Sequence, residues 1–278
     1  MTGPGGDRRP AALAREAGRL RGNRIWRVET PSGPALQKFY SEKAGPLRTA
    51  WRGLLSGVLR GATSSAAAVR WRTERELLAL WAGAGLDVPR DLTASCPALA
   101  GDRVLVMEFV EGKVLGRMLH GGDLAGPARA ALLARFAAAW GRRHRLAVDR
   151  NDPRLVQVHG TLMHVLVAGD RLVTIDLEQA YLAGQPVPPL LAREVLSYLR
   201  SLAKAGDGET FRRDLAVLVA AYPERAILRG VVEDLRRSRS GLRGILWSLD
   251  GAAGGDGGSP SGKGAVTDAL EAAVKTAG

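Results

Sequence analysis

Residues 158–167 read VHGTLMHVLV, and residues 171–178 read RLVTIDLE. The apolar residues in each run predict two short strands, joined by a turn at Ala168-Gly169-Asp170. Asp176 comes directly after the second strand. Because a carboxylate at the end of a buried strand has no packing reason to be there, we expect Asp176 to be a functional residue.

The rest of the chain alternates between strand-like and helix-like patterns. Lys38 lies near the end of a hairpin whose turn is Pro31-Ser32-Gly33-Pro34. A helix with an apolar stripe around Leu77 and Trp81 follows it and ends at Gly85. In chain order, the patterns predict strands at 25–29 and 35–40, a short amphipathic helix within 41–70, a helix at 66–84, a strand at 103–110, a helix at 127–145, strands at 156–159, 165–167 and 172–175, helices near 191–202 and 211–222, and at most a loose terminal helix at 265–277.

The composition predicts a soluble globular protein. The chain has 278 residues, of which 46% are hydrophobic and 24% are charged, enough to bury a sizeable core as one bilobal domain or two small ones. No apolar run reaches the roughly 18 residues that cross a bilayer, and the first residues lack the apolar core of a signal peptide. The single Cys96 agrees with a reducing compartment. We therefore expect a cytoplasmic protein.

The net charge of +12 favours contact with nucleic acid, anionic lipid headgroups or a phosphorylated substrate. An Arg-rich chain of this composition also arises from codon bias alone. The sequence has no pattern of aromatic and basic residues typical of a base-stacking platform and no Cys/His pairs at zinc-finger spacing. These absences argue against specific nucleic-acid binding.

The order of these features resembles the protein-kinase fold. The features are a strand carrying Lys38, a helix carrying Glu74, a strand running into a short connector, a further helix, and paired short strands next to His and Asp residues. More narrowly, residues 22–202 resemble the bacterial lipopolysaccharide-core kinases, which are the Kdo and heptose kinases, and their small atypical relatives. The resemblance implies an α+β, bilobal protein-kinase-like fold.

The resemblance and the composition together divide the chain into four parts. Residues 1–18, rich in Gly, Pro and Arg, are expected to be flexible. Residues 19–107 are expected to form an N-lobe of antiparallel sheet plus helix, and residues 108–250 a reduced, mainly helical C-lobe. Residues 251–278 are expected to be a Gly-rich linker, at 251–264, and a loose C-terminal tail.

The resemblance implies nucleotide-binding roles in the first half of the chain. Lys38 corresponds to the strand lysine that pairs with nucleotide phosphates, and Glu74 to the helix glutamate that holds this lysine in place. Glu76 is the alternative to Glu74, on a different face of the helix. Glu108 and Val110 correspond to the connector between the lobes, whose main-chain groups hydrogen-bond the adenine edge.

The resemblance also implies a metal site and a catalytic loop. Asp176 corresponds to the metal-binding aspartate, which also makes it a candidate catalytic residue. His164 stands at the loop position that holds Asn or His in the family, so it is a candidate metal ligand. Mg²⁺ prefers oxygen ligands, and a histidine shifts the preference toward Mn²⁺. His159 and Thr161 lie in the loop itself and are candidate catalytic residues.

The catalytic loop departs from the family pattern. Thr161 stands where the catalytic aspartate belongs, and the segment to His164 is shorter than in the family. Threonine does not accept a proton at neutral pH, so phosphoryl transfer should be severely slowed. Three explanations remain open: Glu178 or Asp152 orients the acceptor, His164 acts as a metal ligand, or the protein binds nucleotide without transferring phosphate. His159 is either functional or a hydrogen-bonded core histidine.

The resemblance implies a phosphotransferase that uses ATP and Mg²⁺, with Mn²⁺ as the alternative. Its acceptor would be a glycolipid sugar hydroxyl or a protein Ser/Thr, and the basic stretch 43–75 would attract an anionic acceptor at the inner face of the membrane. The alternative is a catalytically inactive pseudokinase that binds nucleotide or acts as a scaffold. Thr161 favours this alternative, as does a glycine-rich loop reduced to Gly18 and Gly22. A basic nucleic-acid-binding protein is the third hypothesis.

Overall fold

The computed structural model describes residues 15–20 as backbone only, and residues 23–42, 61–121, 124, 126–239 and 261–277 in full. Its strands and helices, in chain order, are β1 Arg15–Leu20, β2 Asn23–Thr30, β3 Gly33–Tyr40, α1 Ala67–Gly83, β4 Val104–Glu108, β5 Lys113–Val114, α2 Leu115–His120, α3 Gly126–Asp149, β6 Val165–Ala168, β7 Arg171–Thr174, α4 Val187–Ala203, α5 Gly208–Ala221, α6 Arg225–Arg239 and α7 Lys263–Ala277.

The N-lobe is a four-stranded antiparallel sheet in the order β1-β2-β3-β4, packed against α1. The tight turn between β2 and β3 depends on Gly33, whose φ of 103° is accessible to glycine at little cost. The Thr30 hydroxyl donates to the Gly33 carbonyl at 2.7 Å. The register places Lys38 opposite Ile25 on β2 and opposite Leu105 on β4. Lys38 therefore lies on an inner strand, where pairing on both sides fixes its position.

The helix α1 buries one face against this sheet. Leu77, Leu78 and Trp81 are almost completely buried, and the Trp71 indole donates to the Val104 carbonyl of β4 at 3.0 Å. Glu74 lies one helical turn before Leu78, so the same face that packs on the core also directs this carboxylate inward.

The C-lobe combines a small three-stranded antiparallel sheet, β5-β6-β7, with the helices α2 to α6. Its core is centred on α4, where Leu191, Val195 and Leu199 are buried. This core is continuous with N-lobe residues such as Leu105 and Met107. The predicted α+β, bilobal class is confirmed.

The strand predicted at Val156–His159 is wrong. A 3-10 turn covers Pro153–Leu155, and residues 156–161 continue as turns and irregular backbone. The backbone N–H of Gln157 donates to a carboxylate oxygen of Glu194 at 2.6 Å instead of pairing with a strand. Val156 is buried and Val158 is partly buried, because the segment packs against α4. Apolar residues required by such packing give the same sequence pattern as a short strand.

Both chain ends differ from the expectation where they are described. Residues 15–18, expected to be flexible, belong to β1, which pairs with β2. The C-terminal tail is also packed rather than loose, because α7 begins at Lys263 and buries Val266 and Leu270 in the main core. The helix predicted within 41–70 falls largely on residues 43–60, which lie outside the described residues, as do residues 1–14 and 251–260 of the two ends.

Two helices escaped prediction. α2 has only six residues, too short for a clear periodic signal. α6 has buried positions at Leu228, Val231, Val232 and Leu235, which is the spacing of an amphipathic helix. The signal for α6 was therefore present among its many arginines.

Within the described ranges, no helix combines the length and the apolar character that a bilayer crossing requires.

Removing the anchor of α7 should destabilise the whole C-lobe. We expect Leu270→Ala to lower the free energy of unfolding by about 2–3 kcal/mol, since it deletes a buried side chain and leaves a cavity. The matched control is Val274→Ala on the same helix, where the side chain is only partly buried. Urea unfolding of the two variants measures the difference, and equal midpoints would show that α7 is not part of the core.

Candidate active site

Lys38 is a buried cation surrounded by carboxylates. The residue is 5% exposed, and its Nζ lies 2.6 Å from Glu74 Oε2 and 3.7 Å from an oxygen of both Asp176 and Glu178. Burial by itself lowers the pKa of the Lys38 ammonium, but the nearby carboxylates, Glu74 first among them, outweigh burial and raise it. Lys38 therefore keeps its positive charge at the junction of the two lobes.

The partner of Lys38 is Glu74 rather than Glu76. Glu74 is 3% exposed and also accepts a hydrogen bond from the Tyr40 hydroxyl. Glu76 is exposed on another face of α1. The ion pair ties α1 to β3, so the lysine side chain has little freedom to turn away.

Asp176 faces Lys38 from the C-lobe. Its side chain is 38% exposed, and its Oδ2 lies 3.3 Å from His164 Nε2. The backbone φ of Asp176 is 64°, a left-handed conformation that costs energy for a residue other than glycine. Such strain, at an exposed carboxylate beside a buried cation, is typical of a functional site. This backbone conformation turns the Asp176 carboxylate toward Lys38 of the N-lobe after β7 ends.

His164 completes this cluster from the preceding turn. It ends the 3-10 turn Leu162–His164, and its carbonyl accepts the N–H of Ile175 at 2.9 Å, next to Asp176. Its Nδ1 is buried without a hydrogen-bond partner in the part of the chain that the structure describes. His164 and Asp176 are two donors, and no group of three or more metal-ligating side chains occurs among the described residues.

Two donors still fit a magnesium or manganese site of the nucleotide type. Mg²⁺ usually keeps several waters and binds through one or two carboxylates plus substrate phosphates. The exposed carboxylate of Asp176 supplies an oxygen of the preferred kind, and the imidazole of His164 suits Mn²⁺ better than Mg²⁺. The donor set therefore fits a metal that arrives with the phosphates.

Glu178 does not orient an acceptor, which corrects one expectation. It is buried, and its Oε2 accepts hydrogen bonds from Asn23 Nδ2 at 2.7 Å and Arg70 Nη1 at 3.0 Å. Arg70 Nη1 also donates to Asn23 Oδ1 at 2.6 Å. This cluster joins β2, α1 and the segment after Asp176. Arg70 lies one helical turn before Glu74, but its burial depends on tertiary contacts that the sequence does not reveal.

The catalytic-loop candidates and Asp152 lie in turns or at their ends. Thr161 caps the turn, and its Oγ1 lies 2.8 Å from Ser201 Oγ on α4. His159 is exposed in a turn, so the core-histidine alternative is wrong. Asp152 caps a 3-10 turn, and hydrogen bonds from the Arg154 side chain hold the pKa of its carboxyl below the ordinary value. Its occupied carboxylate argues against a role in orienting the acceptor.

The connector at residues 108–112 contacts Arg90 and the strands β6 and β7. The Glu108 N–H donates to the Arg90 carbonyl at 2.9 Å, and its carboxylate binds the side chains of Arg90 and Arg171. Val110 is buried at 9% exposure. A Cβ at Gly112 would lie 2.7 Å from the Val167 carbonyl oxygen. Glycine there lets the connector backbone approach β6 closely.

A buried polar network around Glu194 of α4 holds the segment that precedes Thr161. Glu194 of α4 is 1% exposed and accepts hydrogen bonds from the Arg143 guanidinium and from the Trp140 indole at 2.9 Å. His144 Nε2 lies 3.3 Å from the same carboxylate. Together with the Gln157 N–H, these donors satisfy a charge that burial alone would make very costly.

The network reaches the residue before Asp176. Tyr198 of α4 donates from its hydroxyl to Gln157 Oε1 at 2.7 Å, and Gln157 Nε2 donates to the Ile175 carbonyl at 3.3 Å. Helix α4 therefore positions both the loop that precedes Thr161 and the backbone that carries Asp176.

No protein-family model matches the chain, and no curated protein matches it either. Among solved structures, WaaP in complex with acyl carrier protein is similar to this chain, with a TM-score of 0.49 and 19% sequence identity, over 82% of this chain and 88% of that chain. This similarity does not assign the chain to a family. The functional interpretation depends instead on the geometry around Lys38 and Asp176.

The Asn23–Glu178 hydrogen bond should couple the two lobes. We expect Asn23→Ala and Glu178→Gln to be non-additive in unfolding free energy, with a coupling of about 1–2 kcal/mol, since the bond involves a buried charge. The control pair is Gln37→Ala with Glu178→Gln, because Gln37 donates to Leu99 at another place in the N-lobe. Chemical denaturation of the single and double variants gives both couplings, and a coupling near zero for Asn23 would contradict the bond.

Proposed function

We propose that this protein is an ATP-dependent phosphotransferase of the protein-kinase type. The observation that carries the proposal is the convergence of Lys38 and Asp176, whose charged groups lie 3.7 Å apart although they come from different lobes. A lysine held by a buried glutamate, facing an exposed carboxylate, is the arrangement that a nucleotide triphosphate and its metal ion require.

Each residue then has a distinct role. Lys38 donates to phosphate oxygens, and Glu74 keeps its ammonium in place when the phosphates compete for it. The carbonyl of Glu108 and the N–H of Val110 meet the adenine edge from the connector. These contacts position the nucleotide with its terminal phosphate near Asp176.

Asp176 and His164 would hold the metal ion. A Mg²⁺ or Mn²⁺ ion held there would supply positive charge next to the phosphate oxygens. The left-handed backbone of Asp176 and its contact with His164 fix the carboxylate before any ligand arrives, which lowers the cost of ordering the site.

Transfer in this site depends on positioning rather than on a general base. An acceptor hydroxyl oxygen forms a bond to the terminal phosphorus, the bond from that phosphorus to ADP breaks, and the hydroxyl proton is released to water. Thr161 supplies no carboxylate to take that proton, so turnover should be slow for this class of enzyme.

The test is metal-dependent formation of ADP from ATP by the purified protein. With Mg²⁺ or Mn²⁺, label from the terminal phosphate should move to a hydroxyl acceptor, or to water in its absence, and Asp176→Ala should abolish the reaction. Wild-type protein that forms no ADP with either metal would overturn the proposal.

One observation favours a nucleotide-binding pseudokinase as the second candidate. The Thr161 hydroxyl is occupied by Ser201 and by the capped turn, so this side chain does not offer a group to the acceptor. A module of this kind would be stabilised by ATP and metal in a melting experiment but would form no ADP. The same purified protein, followed by both measurements, separates the two candidates.

A further inference from the structure

A cavity of about 350 Å³ lies beside the turn Leu162–His164. This volume falls in the range of small-ligand sites, roughly 300–1,000 Å³. The described residues that line it come from the end of α2, from the turn and from α4; they are His120, Thr161, Met163, Ser197, Arg200, Ser201 and Lys204.

The wall that α4 contributes is its polar face. Ser197, Ser201 and Lys204 are spaced four and three residues apart, so they line up along one side of the helix. Most other positions of α4 are buried and apolar. The polar stripe on this otherwise apolar helix therefore faces the cavity.

This cavity and the metal-binding carboxylate lie at opposite ends of one turn. At the first end, Thr161 lines the cavity and contacts Ser201, whose Oγ also accepts the Leu162 N–H at 3.3 Å. At the other end, His164 contacts Asp176 at 3.3 Å. An acceptor that reaches the terminal phosphate past Thr161 would rest in this cavity.

The charge of the described lining residues is positive. Lys204 is exposed and has no ion-pair partner within the described ranges, and Arg200 is anchored by donating from Nε to the Ser261 carbonyl at 3.0 Å. No carboxylate occurs among the described lining residues. The Ser197 hydroxyl donates to the Gly160 carbonyl at 2.7 Å, and its oxygen can still accept from a hydroxyl group of a ligand. The ammonium of Lys204 suits an anion next to that hydroxyl group.

We propose that this cavity is the acceptor site and that it takes a hydroxyl compound bearing a phosphate group. This inference rests on the proposed phosphotransferase function. The phosphate binds the ammonium of Lys204, and a neighbouring hydroxyl of the acceptor points along the turn toward Asp176. The phosphate is either that of a small soluble alcohol or that of a lipid head group, since both present the same chemistry.

The test is calorimetric titration of the full chain, saturated with a non-hydrolysable ATP analogue and Mg²⁺. The probes are glycerol 3-phosphate, vesicles containing phosphatidylglycerol, and glycerol as the uncharged comparison. Binding of the first identifies a soluble acceptor, and binding of the vesicles alone identifies a head group. For the probe that binds, we expect Lys204→Ala to lower the affinity by roughly ten- to a hundredfold, as for the loss of one charged hydrogen bond.

The matched control is Arg229→Ala, which removes an exposed positive charge from α6. It should leave probe binding unchanged, and it distinguishes a defined site from the general attraction of a basic protein for anions. Equal weakening by both variants, or glycerol binding as tightly as glycerol 3-phosphate, would overturn the proposal. So would wild-type protein that binds none of the probes at millimolar concentration.

Affinity for the ATP analogue itself, measured in the same series, separates this inference from the proposed function. Lys204→Ala should bind the analogue as the wild type does. If wild-type protein binds the analogue but none of the probes, the acceptor site is overturned and the nucleotide site is not. If wild-type protein binds a probe through Lys204 but does not bind the analogue, the proposed function is overturned. The cavity is then an anion site only.

Discussion

Replacing Asp176 by asparagine should lower the rate of phosphoryl transfer by about a hundred- to a thousandfold, with the fold preserved. The change keeps the size of the side chain but removes the charge that, in the proposed function, holds a metal ion opposite Lys38. Asparagine tolerates a left-handed backbone better than most residues, so the φ of 64° at this position should be retained. Initial rates of ADP formation at saturating ATP and metal give the effect.

The matched control for this change is Asp170→Asn. Asp170 is an exposed carboxylate in the turn between β6 and β7, close in sequence but not part of the cluster around Lys38. Its rate should stay within about twofold of the wild type, as for an ordinary surface substitution. Rates that fall equally in both variants, or that do not fall in Asp176→Asn, would contradict the assignment of the metal-binding carboxylate.

Replacing Glu194 by glutamine should destabilise the protein by about 3–5 kcal/mol at neutral pH. The substitution leaves the guanidinium of Arg143 buried without its opposite charge, and a broken buried pair costs more than a broken surface pair. Denaturant unfolding measures the effect. Glu233→Gln on α6, where the carboxylate is exposed, serves as the control and should change stability by less than about 0.5 kcal/mol.

The same carboxylate predicts a pH dependence with a definite sign. Burial by itself raises the pKa of Glu194, but the charge of Arg143 and the hydrogen bond with His144 outweigh burial and hold the pKa far below its ordinary value of 4.5. A group with a lowered folded-state pKa contributes stability above its unfolded-state pKa, and that stability is lost as the pH falls toward the folded-state value. The difference between wild type and Glu194→Gln should therefore shrink below about pH 4.5, and a gap that widens on acidification would contradict this.

The residues that the sequence placed correctly in space are those whose positions follow from local patterns. Lys38 lies near the end of a hairpin strand, and Glu74 shares a helical face with the buried Leu78, whereas Glu76 does not. Asp176 follows an apolar strand. The order of these elements carried the resemblance, and the structure brings the three charged groups together at the junction of the lobes.

Long-range contacts account for what sequence alone did not predict. Arg70 and Asn23 bind Glu178 across the lobes, and no local pattern distinguishes a buried arginine in an arginine-rich chain from the exposed ones. The run at Val156–His159 looked like a strand because packing under α4 also requires apolar residues. The packing of α7 depends on a partner surface far away in sequence, so its terminal position suggested a loose end.

The proposed acceptor cavity also depends on long-range contacts that the sequence does not reveal. Thr161 was recognised as a departure from the family loop, but its contact with Ser201 depends on where α4 crosses the turn. The spacing of Ser197, Ser201 and Lys204 was visible in the sequence as a polar stripe on an apolar helix. Without the fold, nothing connected that stripe to the turn that carries His164.

The most direct test is calorimetric titration of the wild-type protein with ATP in the presence and absence of Mg²⁺. If Lys38 and Asp176 converge on one nucleotide and its metal ion, ATP binds with metal and loses at least about tenfold in affinity when the metal is removed, a difference of about 1.4 kcal/mol. ATP that does not bind at all, or that binds equally well without a divalent ion, would contradict the account.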